Sequence, residues 1–251
     1  MTPITRFISL LLTTILLSSI AIAAQEVPEG WTSLFNGKNL DGWHVNCLQA
    51  DKGKTYWKVV DGTIECDSMG KPDHDYVWLT TDKEYDNFML TLQFQAFEES
   101  TGNSGVQVRS RYDASPDAPR GGWLDGPQLD VHPGNPMRIG KIYDETRSER
   151  RWISPSLPDS KYVAPADQKP VKFRFAGNGN GWNTLRIRCK GTRIQTWLNG
   201  QMVTDYDGSG LLNDDAHKLY KVGMQGHIAL QLHSKDELRI RFRNIRIKEL
   251  P

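Results

Sequence analysis

The sequence has little cysteine, and the cysteines it has do not fit a metal site. Cys47, Cys66 and Cys189 are odd in number, and none belongs to the C-x-x-C spacing on which cysteine-based zinc sites rely. A zinc site is therefore not predicted. One disulfide is allowed, and Cys47 and Cys66 are the nearest pair along the chain.

An excess of one charge is also lacking. Lys and Arg together number 31 and Asp and Glu 30, so the formal net charge is +1. The sequence shows no basic stripe of the kind that binding to phosphate backbones requires. Nucleic acid is therefore not an expected partner.

Long apolar runs are absent after the first 24 residues. Arg6 gives the N-terminal region a positive charge, Phe7 to Ile20 is mainly apolar, and Ala21 to Ala24 offers small residues for cleavage by a signal peptidase. This run is shorter than the roughly 20 residues that a membrane span needs. We predict a signal peptide over residues 1–24, export to the periplasm or the medium, no membrane span, and a single domain over residues 25–251.

Helical periodicity is almost absent beyond the signal, whereas apolar and polar residues alternate in segment after segment between Gly, Asp and Asn turns. Asp61-Gly62 and Asn199-Gly200 are strong hairpin signals. The alternation predicts a two-sheet β-sandwich. The predicted strands are Tyr56 to Val60, Thr63 to Cys66, Asn87 to Phe97, Ser104 to Arg111, Pro127 to His132, Val171 to Phe175, Trp182 to Cys189, Ile194 to Leu198, Met202 to Thr204, His227 to His233 and Leu238 to Lys248.

Two stretches without periodicity are rich in Pro, Asp, Ser and Gly. They are Asp113 to Trp123 and Ser154 to Pro170, and both are predicted to be long loops. Loops of this length on a rigid sandwich carry binding function or are surface insertions, and the sequence leaves both interpretations open.

Three predicted strands place polar side chains on one face and aliphatic side chains on the other. The polar sets are Gln107, Arg109 and Arg111 on the first strand, Gln128, Asp130 and His132 on the second, and Gln231 and His233 on the third. A solvated face would usually carry Lys, Glu and Thr, but these positions hold no Lys. We therefore predict a ligand-binding face, because amide, carboxylate and guanidinium groups suit sugar hydroxyls.

Aromatic side chains are candidates for the flat surface on which a sugar ring stacks. For each of them, a place in the hydrophobic core is the plain alternative. The candidates are Trp43, Trp78, Trp123, Trp152 and Trp197.

Six blocks of the sequence resemble one known family, the 3-keto-disaccharide hydrolase domain family, in the family's own order. The blocks are Gly30 to Trp43, Asn103 to Val106 followed by Arg109, Trp182 to Thr184, Asn199-Gly200, Gly226 to His233, and Phe242 to Ile245. The resemblance spans nearly the whole chain after the signal. It implies a concanavalin A-like jelly roll of two antiparallel sheets with a ligand cleft on the concave face, in an exported protein that acts on glycosides.

The chemistry implied by the resemblance is elimination from a 3-keto-glycoside, followed by hydration. A ketone at C3 acidifies the proton on C2 and makes the group at C1 a leaving group. The reaction needs a general base, a group that stabilises the enolate oxygen, and an acid for the departing oxygen.

We assign these roles to residues of the three polar strands and of the segment that follows the second one. His132 or His233 is the predicted base, since an imidazole pKa of about 6.5 suits proton transfer near neutral pH. For each histidine, a hydrogen bond to the sugar without catalysis is the open alternative. Glu145 is the alternative base, and Asp130 orients an imidazole. Arg109 stabilises the enolate. The predicted substrate-binding residues are Gln107, Arg109, Gln128, Gln231, Tyr143 and Trp43.

A hard divalent cation, Ca²⁺ or Mn²⁺, is a further candidate, with Asp130 and Asp144 as its predicted ligands, although no D-x-D-x-D-G loop is present. The remainder of the mixed-charge run from Asp144 to Arg151 is predicted to be a solvated loop.

Two other functions stay open at this point. A glucanase of the laminarinase-like jelly-roll type needs paired carboxylates on one strand, where this chain has Gln128 and His132 around Asp130. A non-catalytic carbohydrate-binding module is the other alternative. It is kept open by Gly126, which stands where the family more usually has an acid.

Overall fold

The computed structural model describes residues 26–100, 102–134, 136–154, 171–177 and 180–251. The predicted signal peptide and most of the second predicted loop lie outside these residues. The described part of the chain forms sixteen strands and one α-helix. The strands are β1 (Thr32–Ser33), β2 (Trp43–Cys47), β3 (Trp57–Val60), β4 (Thr63–Asp67), β5 (Val77–Thr81), β6 (Phe88–Ala96), β7 (Ser104–Asp113), β8 (Trp123–Asp125), β9 (Pro127–Val131), β10 (Ile142–Asp144), β11 (Arg151–Ser154), β12 (Asn183–Lys190), β13 (Arg193–Leu198), β14 (Gln201–Asp207), β15 (His227–Leu232) and β16 (Arg239–Glu249), and the helix is α1 (Asp215–Tyr220).

The strands form two antiparallel sheets. The first sheet has the order β14-β13-β12-β6-β16-β4-β3, with β1 also paired to β16. The second has the order β11-β10-β9-β7-β15-β5-β2, with β8 paired to β7. The predicted concanavalin A-like sandwich is confirmed.

The core lies between the two sheets because the apolar residues of each strand alternate with polar ones. Leu90 and Phe242 of the first sheet and Leu129 and Leu230 of the second are fully buried in one continuous cluster. The positions between them point outward on both sides of the sandwich. The outer face of the second sheet is the polar face predicted above.

Both predicted hairpins form, and their turn residues have the backbone conformation that a two-residue turn requires. Asp61 and Gly62 have φ angles of 49° and 72°, and Asn199 and Gly200 have φ angles of 50° and 84°. These positive values belong to a type I′ turn, whose twist matches that of the flanking strands.

Three predictions about local structure differ from the fold. Val171 to Phe175 is not a strand, and only Phe175 forms an isolated bridge, to Ala96. All three cysteines are free thiols, so the allowed pairing of Cys47 with Cys66 is not made. Helix α1 was not predicted, since six residues are too few to show a 3.6-residue period. It is not long enough to cross a membrane, and neither is any other described helix.

Candidate functional site

The first predicted loop, Asp113 to Trp123, covers part of the outer face of the second sheet. Its end forms β8, which pairs with the end of β7. Trp123 and Leu124 are buried against Tyr76 and Trp78 of the sheet, in a small hydrophobic cluster separate from the main core. The loop is therefore an integral cover of the polar face, and it leaves the side formed by β9, β10 and β11 open.

A polar pocket of about 140 Å³ lies beside this cover. Strands β9 to β11 and the ends of β5 and β15 bring its residues together. The volume is well below the several hundred Å³ of a site for a drug-sized ligand. The lining residues are Tyr76, Asn103, Gln128, Asp130, Arg138, Tyr143, Glu145, Arg150, Trp152 and His233.

Glu145 is the carboxylate in this pocket with the fewest partners. Its backbone is held at both ends, because its N–H donates to the Gly126 carbonyl over 3.0 Å and its carbonyl accepts from Trp123 Nε1 over 2.8 Å. Its Oε2 is buried without a hydrogen-bond partner, and Arg150 Nε lies 3.7 Å away. Burial raises the pKa of Glu145 from 4.5 to about 7, against the attraction of Arg150 and His233. Such a group exchanges protons readily at neutral pH.

A second proton-carrying unit faces the same pocket. His233 Nε2 lies 2.9 Å from the Tyr76 hydroxyl, and His233 Nδ1 lies 3.4 Å from Asp236 Oδ2. Burial opposes charge on His233, but Asp236 and Glu145 outweigh it and raise the pKa of the imidazole above its usual value. Burial also raises the pKa of the Tyr76 phenol, which stays protonated. A charged His233 donates to the Tyr76 oxygen, and the Tyr76 O–H then points its proton toward a ligand.

Asp130 forms the polar floor of the pocket. Arg138 Nε donates to Asp130 Oδ2 over 2.7 Å, and Gln128 Nε2 lies 3.4 Å from Oδ1. Gly105 is opposite Asp130 on the neighbouring strand, and a Cβ there would come within 2.3 Å of the Gln128 side chain. The missing side chain at Gly105 thus gives Gln128 room to lie over the sheet toward Asp130.

A sequence model of the family described as the 3-keto-alpha-glucoside-1,2-lyase-like domain matches residues 30–248. The chain belongs to this family. The resemblance noted in the sequence, to the 3-keto-disaccharide hydrolase domain family, is thereby confirmed. No curated protein matches the chain.

Solved structures show the same fold at low sequence identity. Two candidate glycosyl hydrolases from Parabacteroides distasonis each share 20% identity with this chain at a TM-score of 0.52. The alignments cover 88% and 89% of this chain and 95% and 85% of those chains. A carbohydrate-binding module from Bacillus subtilis shares 12% identity at a TM-score of 0.47, over 83% of this chain and 96% of that one.

For this member of the lyase-like family, the structure brings five of the predicted site residues into one pocket. Gln128, Asp130, Tyr143, Glu145 and His233 all line it. Tyr143 also contacts the ring of Trp152, with their centroids 5.2 Å apart.

Three predicted residues lie on or near the same face but do not line the pocket. His132 has a buried Nδ1 without a hydrogen-bond partner, and burial lowers its pKa. Gln107 and Gln231 are fully buried, and Gln107 Nε2 donates to the carbonyl of Leu124 in the loop that covers the face.

The prediction that Arg109 shares a face with Gln107 is wrong. A bulge between β7 and β15 interrupts the alternation at this point, and Arg109 has a φ of 51°. Its fully buried guanidinium donates to the carbonyls of Asp86 and Gly191 over 2.6 Å each and to that of Gly223 over 3.1 Å. Arg109 therefore ties loops together at one end of the sandwich.

The predicted metal pair of Asp130 and Asp144 is not brought together. Asp144 follows Tyr143 on β10, so it faces the opposite side of the strand, where its Oδ2 lies 3.3 Å from His217 Nε2. No group of three metal-ligating side chains is found among the described residues. Thr146 is also buried, so the prediction of a solvated loop over the remainder of the run is wrong at that residue.

Trp43 is a core residue, because it is buried between the sheets and its Nε1 donates to the Leu34 carbonyl over 2.6 Å. This contradicts its predicted contact with substrate.

The sequence analysis missed Tyr76, Asn103, Arg138 and Arg150 as pocket residues. The sequence did contain a signal for Tyr76. It is two residues from Trp78 at the start of β5, and alternation therefore places both side chains on the same face. Arg138 and Arg150 lie between strands, where strand alternation carries no information about direction.

Proposed function

We propose that this chain cleaves 3-keto-glycosides by elimination, with Glu145 as the general base. The observation that carries the proposal is the buried Oε2 of Glu145, which has no hydrogen-bond partner, on a carboxyl group whose pKa is raised to about 7. Membership of the lyase-like family supports the substrate class. The ketone at C3 makes the C2 proton acidic enough for a carboxylate to remove.

In the proposed reaction, the Glu145 carboxylate takes the C2 proton, and the electron pair moves toward the C3 carbonyl to form an enolate. Arg150, near Glu145 and open to the pocket, stabilises the enolate oxygen in place of Arg109. The enolate then expels the group at C1, whose oxygen receives a proton from Tyr76, backed by His233. Addition of water across the resulting C1=C2 bond gives net hydrolysis.

The deciding experiment is proton NMR of the purified protein with a 3-keto-disaccharide in D₂O. One sample contains EDTA, and separate samples contain added Ca²⁺ or Mn²⁺. Release of 3-ketoglucose with deuterium at C2 is the expected result. The EDTA arm decides whether a cation takes part. Unchanged substrate under every condition, from a protein that still binds the sugar, would identify a non-catalytic binding module instead.

The Tyr76→Phe variant is expected to lose roughly 10²-fold in kcat, because the donor to the leaving oxygen is removed from a buried site. The KM should change little, since the ring and its stacking on Trp78 remain. Steady-state kinetics on the 3-keto-disaccharide measures both quantities. Tyr206→Phe, on β14 and away from the pocket, is the matched control and should behave like the unmodified protein. Equal kcat in Tyr76→Phe and the unmodified protein would remove Tyr76 from the mechanism.

The pH dependence of kcat/KM follows from the pKa of Glu145. A base must be ionised to accept a proton, so kcat/KM should rise about tenfold per pH unit below pH 7 and level off above it. A profile recorded between pH 5 and pH 9 tests this. A profile that is already level at pH 5 would show that the base does not have a pKa raised to about 7.

We further propose that the chain is exported, on the strength of the predicted signal over residues 1–24. Expression of the full chain in a bacterium, with fractionation and mass determination, is the test. Recovery outside the cytoplasm of a chain shortened by about 24 residues is expected from the signal-peptide pattern.

A further inference from the structure

The outer face of the first sheet, on the side of the molecule opposite the pocket, carries two ridges of positive charge. One ridge is on β12, where Arg186, Arg188 and Lys190 alternate with buried apolar residues. The other is on β16, where Arg243, Arg246 and Lys248 point outward in the same way. Because the two segments are more than fifty residues apart in sequence, a search for a basic stripe does not detect them.

Strand β6 lies between the two ridges and separates their charges. The register places Arg186 beside Thr91 and Thr91 beside Arg246, so these three side chains form one row across the sheet. The next row joins Arg188, Met89 and Lys248. Neighbouring strands are about 4.8 Å apart, so the ridges stand roughly 10 Å apart with an uncharged trough along β6.

Carboxylates of the described residues concentrate at the two margins of this face. Glu65 on β4 pairs with Lys58 and Arg241, and Asp205 on β14 pairs with Arg193. Within the described part of the chain, Arg186, Lys190 and Lys248 form no ion pair with a carboxylate, and all three are exposed. The centre of the face is therefore positive although the whole chain is nearly neutral.

Flat aromatic rings flank the two ridges. Trp197 is directly beside Arg186 on the neighbouring strand, and the Arg243 guanidinium lies 3.9 Å from the centroid of the Trp182 ring. Thr91 and Gln93 in the trough offer hydrogen bonds to hydroxyl groups. Aromatic rings beside cations and small polar groups suit a sugar polymer that carries negative charges.

We propose that this face binds a linear anionic polysaccharide, sulfated or carboxylated, that lies along β6 between the two ridges. Arg186 and Arg246 stand on either side of Thr91 in one row, so an extended chain that lies along β6 makes contact with both ridges. Since the pocket is on the opposite side of the sandwich, binding here leaves the pocket accessible. Binding at this face would keep the protein attached to a charged glycan while the pocket cleaves its substrate. The binding proposed here does not depend on the reaction proposed for the pocket.

The test measures binding of dextran sulfate and polygalacturonate by isothermal titration calorimetry at about 50 mM and 300 mM salt, with neutral dextran as the matched uncharged polymer. Binding of an anionic polymer that weakens steeply with salt, and none to dextran, is expected. Arg186→Glu with Lys190→Glu should weaken this binding at least about tenfold, because the change reverses two charges of one ridge. The control, Lys38→Glu with Lys218→Glu, makes the same change in net charge elsewhere and should weaken it less than about twofold.

Three results would overturn the proposal. The first is that neither anionic polysaccharide binds at low salt. The second is that the control pair of substitutions weakens binding as much as the ridge pair. The third is that duplex DNA and phosphatidylglycerol vesicles bind as tightly as the polysaccharides. The third result would identify a general polyanion surface. Circular dichroism melting of both double variants confirms that each is folded, and Arg186→Gln with Lys190→Gln provides a milder replacement if the Glu variant does not fold.

Discussion

The Glu145→Gln variant is expected to lose at least about 100-fold in kcat on a 3-keto-disaccharide, because a general base typically contributes 10² to 10⁴ in rate. Gln has nearly the same shape and keeps the backbone bonds to Gly126 and Trp123, but it cannot accept the C2 proton. Substrate binding should persist. Single-turnover kinetics and calorimetric binding on the same preparation separate these two effects.

The same substitution should stabilise the protein at alkaline pH. The folded-state pKa of Glu145 is about 7 against an ordinary value of 4.5, so the folded state holds a proton that the unfolded state has released. Stability is therefore lost as pH rises from about 4.5 through 7. The free energy of unfolding of Glu145→Gln, relative to that of the unmodified protein, should be about 3 kcal/mol larger at pH 8 than at pH 4.5, an order-of-magnitude figure.

Glu149→Gln is the matched control, since Glu149 belongs to the same segment and pairs with Arg151 outside the pocket. It should change neither kcat nor the pH dependence of stability by a comparable amount. If Glu145→Gln retains full turnover, Glu145 is not the base, and His233 becomes the remaining candidate. If it loses turnover without the stability gain, Glu145 is ionised in the folded state at a lower pH than its burial implies.

Arg109→Ala is expected to lower the free energy of unfolding by about 4 kcal/mol, because each buried polar group left without a partner costs about 1–3 kcal/mol. The carbonyls of Asp86, Gly191 and Gly223 would lose their donor in a buried place. For a chain of this size the melting temperature should fall by roughly 10 °C. Turnover per folded molecule should stay the same, because Arg109 lies outside the pocket.

Arg111→Ala provides the comparison, since Arg111 is two residues away and makes a partly exposed pair with Glu84. Its loss should cost less than about 1 kcal/mol. A normally stable Arg109→Ala protein with strongly reduced kcat would restore the role that strand alternation assigned to Arg109. Urea unfolding monitored by tryptophan fluorescence, together with kinetics at a temperature well below both transitions, distinguishes these results.

Strand alternation and turn chemistry were enough to predict most of the sandwich. Asp61-Gly62 and Asn199-Gly200 gave two hairpins with the right turn, because only a few residues adopt positive φ at low cost. Alternation also placed Gln128 and Asp130 together in the pocket, since β9 runs without a bulge.

The sequence failed where local geometry departs from a regular strand. A bulge turns Arg109 away from the face of Gln107, and nothing in Val106 to Arg111 signals it. Glu145 was a candidate base, but its raised pKa depends on burial beside Trp123. Trp123 belongs to a segment that the sequence identified only as a long loop. The positions of Arg138 and Arg150 depend on connections whose direction only the folded chain defines.

The order of strands in the two sheets has a consequence for synthesis. Of the described strands, β15 and β16 are synthesised after all the others, yet β15 lies between β7 and β5, and β16 lies between β6 and β4. While the ribosome is still adding residues 227–249, both sheets are split into halves that cannot pair across the gap. Such non-local pairing makes folding slow, so the growing chain stays open until its last strands emerge. Chains released before β15 should be cleared by proteases rather than accumulate as partly folded protein.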